Sequence, residues 1–259
     1  MKVCIAFFGI TRSLCHTKDS ILKNVISPLS AFFDLKLVAH FYEDAFHETV
    51  ECGLRENEIL PFDDIKINAA EDLEQVSEFE DIKSFGDYSK NDFESTRNVL
   101  LKLKSLQALY DFPQVRDSDI CLFLRSDLII HDSVSNSILS IQNLKENQIL
   151  VPFWQNWKGG LNDRFAFCRG EKAKLAYACR FKHALEFCQR TAGPLQSEQF
   201  LLYSIMRHGV KTKELNVTAS RISADGRIAQ EDFARRRIGT WHQRRRLTKD
   251  WDFSNSQDQ

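Results

Sequence analysis

The chain has 259 residues, 43% of them hydrophobic and 11% aromatic, which is enough to bury a large core and excludes a disordered chain. Lysine plus arginine number 35 and aspartate plus glutamate 36, for a net charge of -1, so nothing in the balance points to nucleic acid. Seven cysteines without a C-x-x-C pair exclude a zinc ribbon and a disulfide framework, and place the chain in a reducing, cytoplasmic compartment. No apolar run is long enough to span a membrane, and the N-terminus lacks a signal-peptide cleavage pattern.

In chain order, "KVCIAFFG" (2–9) predicts a buried first strand. "TRSLCHTKDS" (11–20) reads as a loop, and "DSILKNVISPLSAFF" (19–33) as a helix that Pro28 kinks or ends. "DLKLVAHFYE" (34–43) is a second strand. Strand, helix, strand predicts a βαβ unit and hence a mostly parallel sheet with helices on both faces. The acidic region 44–94 shows short apolar pieces without long periodicity, and its run from Glu71 to Glu94, nine carboxylates against two lysines, is read as a solvated face. Residues 93–110 carry a leucine stripe at 100, 103, 106 and 109 and predict a long helix.

"SDICLFLRSD" (118–127) predicts a central strand, 131–144 a short capped helix, and "QILVPFW" (148–154) another strand. "QNWKGGLNDRFAFCRG" (155–170) reads as a structured turn running into a short strand. Two helices follow, 171–187 and 197–209, and "VKTKELNVTASRI" (210–222) is one final strand. The expected product is a single α/β domain over 1–259. Its halves are a nucleotide-binding one (about 1–130) and a second (about 131–228), with a basic tail, 229–259. That tail interleaves Trp241 and Trp251 with arginines, a pattern that rests on an anionic membrane face, closes over a phosphate, or is merely solvated.

The chemistry-bearing residues cluster in four places. "FLRSDL" ends a core strand in Arg125 and Asp127, and open α/β sheets bind ligands at that edge. "GGLNDRFAFC" brings Asn162, Asp163 and Arg164 together after two glycines. "SEQFLLY" puts Glu198 at a helix start, where a carboxylate also complements the helix dipole. "RISADGR" sets Arg221, Asp225 and Arg227 around Gly226.

In that order, the four segments resemble bacterial cell-surface-polysaccharide glycosyltransferases of the GT-A fold, over roughly residues 2–228. The resemblance implies a GT-A-like α/β fold with a Rossmann-like N-terminal half. It implies transfer of a sugar from a nucleotide-sugar donor to a glycan or lipid-linked glycan acceptor, in lipopolysaccharide or capsule synthesis. "RSD" looks like a degenerate D-x-D motif, making Asp127 the retained metal-binding carboxylate for Mn or Mg. Arg125 stands where the first carboxylate belongs, and an arginine fork can instead meet diphosphate directly. "SEQ" resembles the segment carrying the base of inverting enzymes, which nominates Glu198, with Asp163 as the other catalytic candidate. Gly9, Thr11 and Arg12, after the first strand, fall where the nucleotide base lies in that fold. Arg97, Asn162, Arg164 and Arg227 are further donor-binding candidates. No histidine stands clearly where many such enzymes supply a late metal ligand; His242, in the basic tail, is either that ligand or simply solvated. The alternatives are an inactive sugar- or partner-binding module of the same fold, and a sugar nucleotidyltransferase. "FFGITRSL" lacks the lysine of the latter's loop, and it lacks the G-x-G-x-x-G of a dehydrogenase.

Overall fold

A computed structural model describes residues 1–10, 13–43, 58–69, 77–223, 225–234, 244–249, 251 and 253. Strand β1 (Lys2–Ile10) lies inside the sheet, between two parallel neighbours, and shows why a core strand reads as a continuous apolar run. Val3, Ile5 and Phe7 enter one hydrophobic cluster, while Cys4, Ala6 and Phe8 enter another on the opposite face. With both faces covered, neither side of the strand can be polar.

Helix α1 (Leu14–Ile21) begins five residues before the expected helix, inside the stretch read as a loop. Leu14, Thr17 and Ile21 are its buried residues, and the Thr17 hydroxyl donates to the Ser126 carbonyl at 2.7 Å. A widened π turn, Leu22–Ile26, separates it from α2 (Ser27–Ser30). The wide turn falls just before Pro28, which has no N–H to offer the carbonyl four residues earlier. Strands β2 (Asp34–Glu43) and β3 (Asp64–Ala69) extend the sheet in parallel.

After α3 (Ser77–Lys83), the Asp87 carboxylate accepts backbone N–H groups from Ser89, Asn91 and Phe93 at 2.8–3.0 Å. At least this member of the acidic run shapes a loop rather than a plain solvated face. The loop delivers α4 (Glu94–Tyr110), which buries Leu100, Leu103, Leu106 and Leu109 as its leucine spacing requires. Helix α5 (Pro113–Arg116) leads into β4 (Ile120–Arg125), parallel to β1, and a turn at 126–127 leads to the short β5 (Leu128–Ile130).

Helix α6 (Ile138–Gln142), β6 (Gln148–Pro152) and β7 (Phe165–Arg169) follow. The predicted helix 171–187 is two: α7 (Glu171–Ala178) and α8 (Ala184–Thr191), joined by a tight turn over Arg180–His183. The break turns the Arg180 side chain inward, to zero exposure. Helix α9 (Ser197–Arg207) matches its expected start.

The predicted last strand is also two. β8 (Lys211–Leu215) pairs in parallel with β6, and β9 (Ala219–Arg221) leaves the main sheet to pair antiparallel with β5. The corner between them is held by Trp154 Nε1 donating to the Val217 carbonyl at 2.9 Å. Asp132 also accepts the Thr218 N–H and hydroxyl there. The seven-stranded order is β3-β2-β1-β4-β7-β6-β8, parallel except for β7, which runs against both neighbours. This is the mostly parallel α/β sheet with helices on both faces that the sequence implies.

The basic tail does not present Trp251 to a membrane. Trp251 is 8% exposed, edge-on to Tyr203 at 5.2 Å and Phe187 at 6.3 Å, and Arg190 lies over Phe253. Trp241 and His242 lie outside the described residues. No helix among the described residues is long and apolar enough to cross a membrane. The six described cysteines are free thiols.

Candidate active site

The carboxyl ends of β1, β2 and β4 open into a cleft of two adjoining chambers, about 240 and 380 Å³, that share Ser95, Val99, Lys102, Arg125 and Arg221. Gly9, Tyr42, Asn98, Ser126 and Asp127 also line the first chamber. Asp163, Arg164, Ser197, Glu198 and Glu231 line the second.

Arg125 and Asp127 meet one another there. Arg125 Nε donates to Asp127 Oδ1 at 2.8 Å and Nη2 to Oδ2 at 2.5 Å, a bidentate fork across the turn that ends β4. This explains why a core strand ends in two charges: each neutralises the other at the rim.

Deeper in, Asp163 is 4% exposed and accepts hydrogen bonds from Lys102 Nζ and Ser197 Oγ, with Arg180 Nη2 at 3.8 Å. Lys102 Nζ also donates to Ser197 Oγ at 2.9 Å. Burial alone would push the Asp163 carboxyl up; Lys102 and Arg180 more than reverse it and hold the group well below the usual carboxylate range. Burial conversely pushes the Lys102 ammonium down, with Arg125 and Arg180 adding to the effect. Arg180 stacks on the Tyr177 ring and donates to the Tyr177 carbonyl, while its Nε and Nη2 have no hydrogen-bond partner among the described residues.

Glu198, half-buried in the first turn of α9, has the opposite environment. Burial, then the Asp163 charge, push its carboxyl up to about 7. Gln196 Nε2 donates to it, and Gln196 Oε1 caps the helix by accepting the Gln199 N–H at 2.7 Å. The backbone of Glu198 is fixed from outside: its carbonyl accepts the Leu161 N–H at 2.9 Å, and Gly160 packs directly on its peptide. A Cβ at position 160 would overlap the Glu198 carbonyl group, which is backbone and cannot swing away. Gly160→Ala is therefore expected to lower stability by about 1–3 kcal/mol through forced displacement of α9. A thermal unfolding curve superimposing on that of the native chain would refute this reading of the contact.

The tail contributes a residue to the cleft. Glu231 accepts from Arg164 Nη1 and from the amide of Gln155, and the Arg221 guanidinium lies 3.9 Å away. Arg164 in turn stacks on Trp154, 5.0 Å from the ring centroid.

Of the residues named from sequence, Gly9, Arg125, Asp127, Asp163, Arg164, Glu198 and Arg221 line the cleft together. Asn162 does not line it; its amide donates to the Trp154 carbonyl at 2.9 Å and accepts the Arg164 N–H at 3.0 Å, holding the turn that carries Asp163. Arg97 lies over the Phe79 ring, away from the cleft lining. The Arg227 side chain is 85% exposed and pairs with Asp225 at 2.6 Å. Thr11 and Arg12 lie outside the described residues. Lys102, Arg180 and Glu231 were missed. Lys102 follows Ser95 and Asn98 along the cleft side of α4, a polar line beside the leucine stripe that was readable. Arg180 and Glu231 had no comparable signal.

Neither a protein-family model nor a curated protein sequence matches this chain. Among solved structures it is similar to mouse xyloside xylosyltransferase 1 in its apo form, with 13% identity, 83% of this chain and 85% of that chain covered, and a TM-score of 0.45. It is also similar to the galactosyltransferase LgtC in complex with donor and acceptor sugar analogs, with 16% identity, 83% and 73% covered, and a TM-score of 0.45. Likeness at this level says nothing about donor, acceptor or chemistry, which have to be read from the cleft.

Proposed function

We propose that the chain is a glycosyltransferase that moves a sugar from a nucleoside-diphosphate donor to a hydroxyl of a glycan or lipid-linked glycan in surface-polysaccharide synthesis. The observation that carries this reading is one cleft lined by both cations and a half-buried carboxylate. Arg125, Arg221 and Lys102 line the mouth of the parallel strands, and beside them burial and the Asp163 charge push the Glu198 carboxyl up to about 7.

Breaking a sugar–phosphate bond leaves charge on the departing diphosphate, which fixed cations stabilise. In an inverting transfer the acceptor oxygen attacks the anomeric carbon while its proton passes to a carboxylate base. Glu198 fits that role, because its environment favours the proton-bound form without preventing ionisation near pH 7. Asp163, paired and poorly basic, fits a positioning role: it holds Lys102 and Ser197 in place. The first chamber, built mainly before residue 130, takes the donor, and the second takes the acceptor. Free cysteines fit a reducing cytoplasm, the compartment in which nucleotide sugars are available.

An inactive sugar-binding module is the second reading, favoured by the Arg125–Asp127 fork that occupies the degenerate D-x-D position. A panel of nucleotide sugars, followed by thermal shift and donor hydrolysis, separates the two. Stabilisation by one donor with its slow hydrolysis is expected. Stabilisation with no hydrolysis or transfer under any condition supports the module, and no stabilisation by any donor removes both.

A further inference from the structure

A divalent ion bound in the D-x-D manner would need the Asp127 carboxylate. Among the described residues it is the one carboxylate lining the first chamber, and no cluster of three His, Cys, Asp or Glu able to hold a metal exists among them. Magnesium uses one or two protein carboxylates plus substrate phosphates, so a lone Asp is a minimal but workable anchor. Here that anchor is taken. Both Asp127 oxygens are engaged by Arg125, whose side chain is 21% exposed. A metal would have to displace the guanidinium, leave it largely buried without its counter-charge, and sit as a second cation against it. These donors do not fit a divalent ion.

They fit an anion. Three of the cleft carboxylates already face a cationic side chain: Asp127 with Arg125, Asp163 with Lys102, and Glu231 with Arg164. Two sets of donors remain over. Arg125 Nη1 makes no hydrogen bond to the described residues. Arg221 is 51% exposed, its one ion pair among the described residues is a long one of 3.9 Å to Glu231, and it lines both chambers.

We propose that a diphosphate binds this chain without a divalent metal, gripped by the free edge of Arg125 and by Arg221, with Arg125 seated on Asp127 as the built-in counterpart of the ion. The inference rests on the donor reading above and specifies how that donor is held. Asp127 then acts as a positioning residue: it aims the Arg125 fork and never touches the phosphate. Planar guanidinium groups suit paired phosphate oxygens better than a lysine point charge does.

The test uses the full chain with manganese alone and with inorganic pyrophosphate. Manganese titrated against the protein, followed by the free-ion electron paramagnetic resonance signal, is expected to show no loss of signal. Calorimetry with pyrophosphate in chelator is expected to show binding, weakened about tenfold or more by Arg221→Gln, the loss of one charged hydrogen-bonding partner. Because Arg221 is half-exposed, that variant is expected to fold, and its melting curve checks this. Arg125→Asp is expected to abolish pyrophosphate binding in chelator and to introduce manganese binding. The proposal falls if manganese alone is bound and Asp127→Asn removes that binding, or if Arg221→Gln folds and binds pyrophosphate undiminished. It falls, with the transferase reading intact, if pyrophosphate or a donor sugar binds only with manganese. If no phosphate compound binds under either condition, the transferase reading falls as well.

Discussion

Glu198→Gln is expected to lower turnover by about 10²–10⁴-fold, the range carried by a general base, while leaving donor binding in place. The substitution keeps the shape and the Gln196 contact but removes the proton acceptor. In the native chain the rate is expected to rise with pH through about 7 and level off above it, since the base works when ionised. The same group has a linked effect on stability. Its folded-state value lies above the ordinary 4.5, so the folded chain holds the proton more tightly than the unfolded one. This contribution to stability is present below about 4.5 and is lost as pH rises to about 7. Steady-state rates and melting temperatures across that range, compared between native and Glu198→Gln chains, check both statements. Unchanged turnover in the variant would end the assignment.

Asp163→Asn is expected to be the most destabilising of the cleft substitutions. It leaves the Lys102 ammonium and the wholly buried Arg180 guanidinium without their shared counter-ion, a change that costs about 3–5 kcal/mol in comparable buried pairs. For a chain of this size that is on the order of 10 °C in melting temperature. Removing the cation as well should recover part of the loss, so Asp163→Asn with Lys102→Met is expected to melt above Asp163→Asn alone. The sign with pH is opposite to that of Glu198. A carboxyl held below its ordinary value of 3.8 supports the fold above that pH, and the support disappears on acidification. Equal melting of native and Asp163→Asn chains would show that the cluster is not coupled as its geometry implies.

For the cleft carboxylates the sequence revealed positions but not surroundings. Asp127 and Glu198 were legible because their positions follow from local rules. A parallel strand ends at the ligand edge of its sheet, and an acidic residue in a first helical turn marks a helix start. Their environments were not legible. That Asp127 is bridged by Arg125 depends on a two-residue turn at 126–127. That Asp163 is a buried ion pair depends on Lys102, 61 residues away on α4. Arg180 was hidden because 171–187 has helical spacing throughout; the break after Ala178 is set by tertiary burial of a cation, which periodicity does not register. The split of the last strand was hidden for the same kind of reason, since its corner is held by Asp132 and Trp154 from distant segments.

Arg244 donates to the carbonyls of Gly159 and Gly160, and the next residue along, Leu161, bonds to the carbonyl of Glu198. These three hydrogen bonds tie the segment at Arg244 to the first turn of the helix that carries Glu198. Clipping off the stretch from 244 onward would remove the outermost tie as well as the aromatic plug at Trp251, and the injury would reach the Glu198 carboxylate through the 159–161 backbone.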